Sequence, residues 1–218
     1  MSFSGTAPPE SGAHTILLRP ASPADALDMA RLVDMAGEGL SSYFWQAIAL
    51  PGEDAWAVGA RRAASEDCNF SWRNATIAEI GGETAALLIT YRIGEVPLPV
   101  YDLPAIIQPL QELENLALRS LYVNVVAVYP RFRRRGVARK LMQHALDLGG
   151  DRELSLIVAE GNTAAIALYE TAGFVERTRR PVVEAGGWSC ESREWVLMVR
   201  PSVRPEAVGA CGHTADLW

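Results

Sequence analysis

Arg133-Arg134-Arg135-Gly136-Val137-Ala138 is the stretch whose residue types and spacing point most directly to chemistry. Guanidinium groups are forked donors that match phosphate oxygens. A glycine lacks the Cβ that would keep a ligand off the backbone. The stretch follows an apolar run, Tyr122 to Val128, and the turn Tyr129-Pro130-Arg131-Phe132; an amphipathic helix is expected after it, starting near Arg134. Strand, basic turn, glycine and helix, in that order, build an anion site. The first N–H groups of a helix lack intrahelical partners, and its N-terminus carries about half a positive charge. The expected ligand is a phosphate-bearing cofactor. The competing reading is a solvated basic turn, or a patch for nucleic acid or localisation. A position between a buried strand and a periodic helix favours the phosphate.

The rest of the composition narrows the class. The net charge is −6 over 218 residues, which argues against bulk binding to nucleic acid or to an anionic membrane. Against that acidic background, Arg131, Arg133, Arg134, Arg135, Arg139 and Lys140 crowd into ten positions. Lys140 is the sole lysine, an arginine bias read as genome composition in a bacterial protein. Cys68, Cys190 and Cys211 are widely spaced, without a CxxC pair, and the histidines do not complete a metal-ligand set, so neither disulfides nor a metal are expected. With no apolar leader and no run long enough to span a bilayer, a cytoplasmic setting is expected.

The elements that must position the basic turn can be read in order. Residues 1–14 read as a loose segment, 15–200 as one domain and 201–218 as a tail. Thr15 to Arg19 reads as a strand. Ser22-Pro23-Ala24-Asp25 reads as a helix start with a capping-box variant, and Leu27, Ala30, Val33 and Ala36 as that helix's apolar stripe. Residues 38–45 read as an aromatic connection, and 53–64 as a helix. Strands at 76–80 and 84–91 flank the hairpin signal Gly81-Gly82. Pro97, Pro99 and Pro104 mark an excursion, with a short acidic helix over 106–116. Leu121 to Val128 reads as a strand buried on both faces. Val137, Leu141, Ala145 and Leu148 form the stripe of the helix after Gly136. Further strands are expected at 154–158, from Phe174, and at 195–199, with a helix after Asn162.

Two strings carry a family resemblance. Val126-Ala127-Val128-Tyr129-Pro130-Arg131-Phe132-Arg133-Arg134-Arg135-Gly136-Val137-Ala138 matches R/Q-x-x-G-x-G/A through Arg133, Gly136 and Ala138. Asn162 to Phe174 matches N-x-x-A-x-x-L-Y-x-x-x-G-F. Together they resemble the GCN5-related N-acetyltransferase (GNAT) superfamily. The resemblance implies an α/β (α+β) fold: a mixed, mostly antiparallel sheet of six to seven strands flanked by helices, with a splayed parallel pair holding acetyl-CoA. It implies an acyltransferase, moving an acetyl group from acetyl-CoA directly to a primary amine.

What the resemblance implies for single residues follows. The pantetheine arm pairs with the fourth strand at Val126, Ala127 and Val128, a β-augmentation. The pyrophosphate meets Arg133, Arg134, Arg135, Gly136, Val137, Ala138 and Arg139. Asn162 contacts the arm or simply caps its helix. Tyr169 protonates the leaving thiolate, or else only packs on the sheet. A backbone N–H of the fourth strand polarises the carbonyl. Asn124, on that strand, is no base. Glu38, Glu112 and Glu114 are the candidate bases, with solvated surface carboxylates as the alternative. Tyr43, Trp45, Trp72, Arg73 and Asn74 are candidates to line the acceptor pocket, with core packing as the alternative for the aromatics. The acceptor ranges from a polyamine to a protein N-terminus; the −6 charge favours a cationic one by steering. Dimers are common in that family, so a homodimer is an option. The competing functions are a non-catalytic acyl-CoA sensor on the same fold and a nucleic-acid-binding module.

Overall fold

A computed structural model describes residues 15–203. The expected loose segment at 1–14 and most of the 201–218 tail, with His14, Cys211 and His213, lie outside the described residues. The elements run β1 (Ile16–Pro20), α1 (Ala26–Ala36), α2 (Leu40–Ala47), α3 (Ala55–Ala63), β2 (Ala75–Ile80), β3 (Glu83–Arg92), α4 (Gln108–Glu114), β4 (Leu121–Val128), α5 (Val137–Gly149), β5 (Leu154–Ala159), α6 (Thr163–Thr171), β6 (Val175–Pro181) and β7 (Glu194–Arg200). The seven strands form one sheet in the order β1-β2-β3-β4-β5-β7-β6. Every neighbouring pair is antiparallel except β4 and β5. Among the described residues no helix is long and apolar enough to cross a membrane.

Local signals account for many of the boundaries. Gly81 and Gly82 both take positive φ (62° and 81°), as a two-residue hairpin turn of matching twist demands, and β2 and β3 pair across them. At the start of α1 the Asp25 carboxylate accepts from the Ser22 N–H (2.8 Å) and hydroxyl (2.9 Å), which is the anticipated box. One turn of 3-10 helix, Pro23–Asp25, precedes α1.

Helix faces were read less well. Leu27 is 43% exposed and Ala36 lies in solvent, whereas Ala26, Met29, Ala30 and Leu32 are buried. In α5, Leu148 is 47% exposed and Met142 takes the core position beside Leu141 and Ala145. Both helices cross the sheet at an angle that an average 3.6-residue period does not fix. The aromatic connection at 38–45 is mostly helix: Glu38 and Gly39 take left-handed φ (53° and 83°), and α2 starts at Leu40.

The two faces of the sheet carry different layers. α5 and α6 pack with Leu121 and Val123 of β4. α1 and α3 pack with Val125 and Ala127, and α2 and α4 meet β5 and β7 on Ala159, Trp195, Leu197 and Val199. Residues two apart on a strand normally share a face. Val123 and Val125 do not, because a bulge intervenes: Thr90 pairs with Val123 and Ile89 with Val125, leaving Asn124 as the extra residue. Asn124 is also the one exposed position in a strand expected to be buried throughout.

Candidate active site

Strands β4 and β5 are in register only at Leu121↔Leu154 and Tyr122↔Ser155. Beyond Tyr122 they part: β4 continues with β3 alone, and β5 with β7 alone. The facing edges of Val123–Val128 and Leu156–Ala159 therefore present backbone groups that no strand answers. An extended ligand can add to such an edge as a strand would. Val128 contributes less freely than Val126 or Ala127, since its carbonyl accepts from Arg133 Nε at 3.2 Å.

The basic turn closes the wide end of this cleft. Pro130–Phe132 make a 3-10 turn, Arg134 and Gly136 take left-handed φ (61° and 82°), and α5 begins at Val137 rather than near Arg134. Two left-handed residues so close together break the helical run and turn successive N–H groups toward one side, the geometry of an anion nest. No side chain caps α5. A Cβ on Gly136 would meet nothing within 4 Å, so the space over the turn is open, while its positive φ selects glycine.

The arginines divide by task. Arg133 is turned back onto Val128 and Met35 and pins the turn. Arg131 pairs with Glu83 at 2.9 Å and lies over the Phe132 ring. Arg134, Arg135 and Arg139 are exposed and, among the described residues, pair with no acid, so three cations remain for a phosphate. The strand edge, the open turn, the uncapped helix and the free cations together fit a coenzyme A ester.

Asn162 caps α6, accepting from the Ala165 N–H at 3.2 Å. About two turns on, Tyr169 is 8% exposed, with its ring 6.1 Å from Phe174. Burial pushes its hydroxyl up to about 12, so it carries its proton at neutral pH. Tyr169 belongs to the α5–α6 layer, yet its hydroxyl acts electrostatically on Tyr122, whose side chain is on the other face. The split between β4 and β5 is what lets one reach the other.

The three candidate bases have three different settings. Glu112 is ion-paired to Arg180 at 2.6 Å. Glu38 is exposed, and its carboxylate accepts from the Cys190 thiol at 2.8 Å. Glu114 ends α4 and faces the Tyr91 hydroxyl; burial raises it to about 7, and only that hydroxyl pulls it back. Of the three, Glu114 is the one that acts electrostatically on Tyr122, where β4 and β5 part.

A groove of about 550 Å³ lies between α2, α3 and the β6–β7 connection, lined by Ser42, Tyr43, Gln46, Trp56, Gly187 and Trp188 among others. It borders Glu38, whose carbonyl accepts from the Trp188 indole at 3.0 Å. Of the residues expected to line an acceptor pocket, Tyr43 lines this groove. Trp45 does not: it is 4% exposed, stacked on Phe70 at 5.7 Å. Trp72 lies under Arg73 (4.7 Å), Arg73 pairs with Glu66, and Asn74 donates to the Asn69 carbonyl. These side chains are committed to such neighbours and do not line the groove.

The family model for the acetyltransferase (GNAT) family matches residues 44–174, well over half the chain and the whole of the split-strand unit. This chain belongs to the GNAT family. A ribosomal protein bS18-alanine N-acetyltransferase from Salmonella typhimurium is 48% identical over 58 residues, 25% of this chain and 39% of that enzyme. The match thus spans about two fifths of that relative. Among solved structures, an N-acetyltransferase from Staphylococcus aureus Mu50 superposes with a TM-score of 0.61 at 21% identity, covering 84% of this chain and 99% of that one. A diaminobutyrate acetyltransferase from Paenibacillus lautus, solved with its substrate and coenzyme A, gives 0.52 at 14%, covering 86% and 96%. At such identities the likeness is one of fold.

Several residues at this GNAT site escaped the sequence reading. Tyr91 and Tyr122 sit in apolar strand ends where a tyrosine passes for core. Trp56 and Trp188 had no periodicity to mark them. The bulge at Asn124 leaves no trace in composition.

Proposed function

We propose that this chain is an N-acetyltransferase that transfers an acetyl group from acetyl-CoA directly to a primary amine. The observation that carries the reading is the split between β4 and β5, with two groups raised by burial: Glu114, at about 7 and able to accept a proton, and Tyr169, at about 12 and holding its own. A group that can accept a proton and another that keeps one to give are what acyl transfer to an amine needs.

Acetyl-CoA would supply the thioester whose acyl carbon the amine attacks. Val126 and Ala127 offer backbone groups to its arm, and Arg134, Arg135, Gly136, Val137, Ala138 and Arg139 offer N–H groups and charge to its phosphates. Asn162 offers the NH₂ that its capping contact leaves over. The bulge leaves the Asn124 backbone outside the β3 ladder and available to a carbonyl oxygen in which charge develops. Glu114 takes the amine's proton, and Tyr169 gives its own to the departing sulfur. Holding both reactants in the split supplies a further share of the rate.

The acceptor enters over α2 and the β6–β7 connection. Tyr43, Trp56 and Trp188 line the groove, and Ile48 and Leu50 stand exposed (54% and 63%) at its α2–α3 rim. Aromatic walls with an apolar rim suit a peptide α-amine better than a bare polyamine. The test is release of coenzyme A thiol from acetyl-CoA with three acceptors: an N-terminal alanyl tripeptide, an N-terminal methionyl tripeptide and spermidine. Tripeptide turnover is expected, with Tyr169→Phe lowering kcat about 100-fold while coenzyme A affinity is kept. Coenzyme A binding without turnover on any of the amines would instead make the chain an acyl-CoA sensor.

A further inference from the structure

Residues 188–194, where the β6–β7 connection runs into β7, are hydrogen-bonded to two separate parts of the molecule. At one end the Trp188 indole donates to the Glu38 carbonyl at 3.0 Å, and the Cys190 thiol donates to the Glu38 carboxylate at 2.8 Å. At the other end the segment holds the turn between β5 and α6. The Gly161 N–H donates to the Ser192 hydroxyl at 3.1 Å, the Arg193 N–H to the Glu160 carboxylate at 2.9 Å, and the Glu160 N–H to the Glu194 carbonyl at 3.0 Å. The Ser192 N–H, donating to Cys190 Sγ at 3.4 Å, joins the two sets of contacts. Ser192 is 7% exposed and packed so closely that a Cβ on Gly161 would stand 2.8 Å from its hydroxyl. The residue after Gly161 is Asn162, the cap of α6.

Glu38 is the far end of this run of contacts, and it is held in an unfavourable conformation. Its φ is 53°, and Gly39 follows at 83°. A non-glycine residue in the left-handed region persists where its surroundings over-determine it. Here the carbonyl and the carboxylate of Glu38 are both engaged by the same short segment. Gly39, next in the chain, and Trp188, on the opposite side of the contact, both line the groove. The wall of the groove and the cap of α6 are therefore fastened to one piece of backbone, and Glu38 is where that piece is anchored to the α1–α2 loop.

We propose that Glu38 is a positioning residue that pins residues 188–192, keeping the aromatic groove in register with the β5–α6 turn. The inference rests on the reading, given above, of the groove as the acceptor's entry and of Asn162 as a contact of the donor's arm. It gives Glu38 a task that needs an accepting oxygen rather than a base. The thiol suits the part of donor: burial, and then Glu38 itself, push it above its ordinary value, so it keeps its proton at neutral pH. A small displacement of one substrate against the other is costly in rate even when every reacting group is intact.

The test separates an accepting oxygen from a base. Glu38→Gln keeps a carbonyl oxygen for the thiol, and Glu38→Ala removes it. In turnover of acetyl-CoA with the alanyl tripeptide, Glu38→Gln should hold kcat and both KM values within about twofold of the wild type. Glu38→Ala should raise the tripeptide KM about tenfold while coenzyme A affinity stays within about twofold. Cys190→Ala should reproduce that loss, and the double variant should add less than about twofold to either single one, since one contact is being removed twice. An equal loss in Glu38→Gln and Glu38→Ala would overturn the proposal in favour of the charge. On the protein alone, hydrogen exchange at the Trp188 indole and the Ser192 N–H should be at least about tenfold faster in Glu38→Ala than in the wild type or Glu38→Gln. Unchanged exchange would overturn it as well. Absence of turnover on every amine, the wild type included, would bring down the acetyltransferase reading, and the exchange rates would still decide whether Glu38 holds the segment.

Discussion

Asp25 and Glu114 are both carboxylates drawn out of water, and their surroundings differ in one respect. Asp25, at the head of α1, is 8% exposed and fully answered: Arg19 grips it through two nitrogens (2.7 and 2.9 Å), and Ser22 donates twice more. Arg19 also reaches Glu79, tying β1 to β2 and to the helix start. The Arg19 hydrogen bonds hold Asp25 below the usual carboxylate range. Glu114 has hydroxyls for neighbours and no cation, and burial lifts it to about 7. A carboxylate that is both charged and paired braces the fold; one denied a partner is ready to take a proton.

The largest expected effect falls on Glu114. Glu114→Gln should lower kcat at least about 100-fold and abolish the rise of kcat with pH that the wild type shows through about pH 7. Its stability should move the other way. A carboxyl raised in the folded state favours the neutral form, so stability is full below the unfolded value and declines as pH climbs toward 7. The loss is up to about 3 kcal/mol at 1.36 kcal/mol per pKa unit. At pH 8 the Gln variant should therefore melt above the wild type; a variant that is both inactive and less stable would break the comparison.

Asp25→Asn should do the reverse. Stability should fall by about 2 kcal/mol, less than the ~3–5 of a fully buried pair because Arg19 is a third exposed, with kcat unchanged. The Asp25 contribution is present above the unfolded carboxylate value and is lost as pH drops through the lowered folded one, so the variant's melts should approach the wild type's only in acid. The smallest effect belongs to Glu112→Gln, whose half-exposed pair with Arg180 is worth about 0.5 kcal/mol or less, with activity intact. Loss of activity there, with Glu114→Gln unharmed, would reverse the assignment.

What could be read from sequence was what short spacing encodes. The Gly81-Gly82 turn, the Ser22–Asp25 box and the glycine ahead of α5 each follow from a few adjacent residues and came out as expected. The two strings from Val126 to Ala138 and from Asn162 to Phe174 fixed the family. Helix faces and α2 were misjudged because packing angles and the left-handed pair Glu38-Gly39 are set by tertiary contact. Glu114 was named among the bases but could not be ranked, since its burial depends on strands far along the chain.

The divided sheet has a mechanical consequence. Strands β1–β4 and β5–β7 are two half-sheets whose ladders meet at two register positions, beside a buried hydroxyl contact, Ser120 to Ser155 at 2.6 Å, with the α5–α6 layer packed across both halves. A ligand laid along so short a seam as an added strand would lengthen the junction between the two halves. Occupancy and rigidity then become one variable: at a hundred times Kd the bound form gains about 2.7 kcal/mol. On the proposed reading, a donor seated there would also serve as a structural member of the sheet.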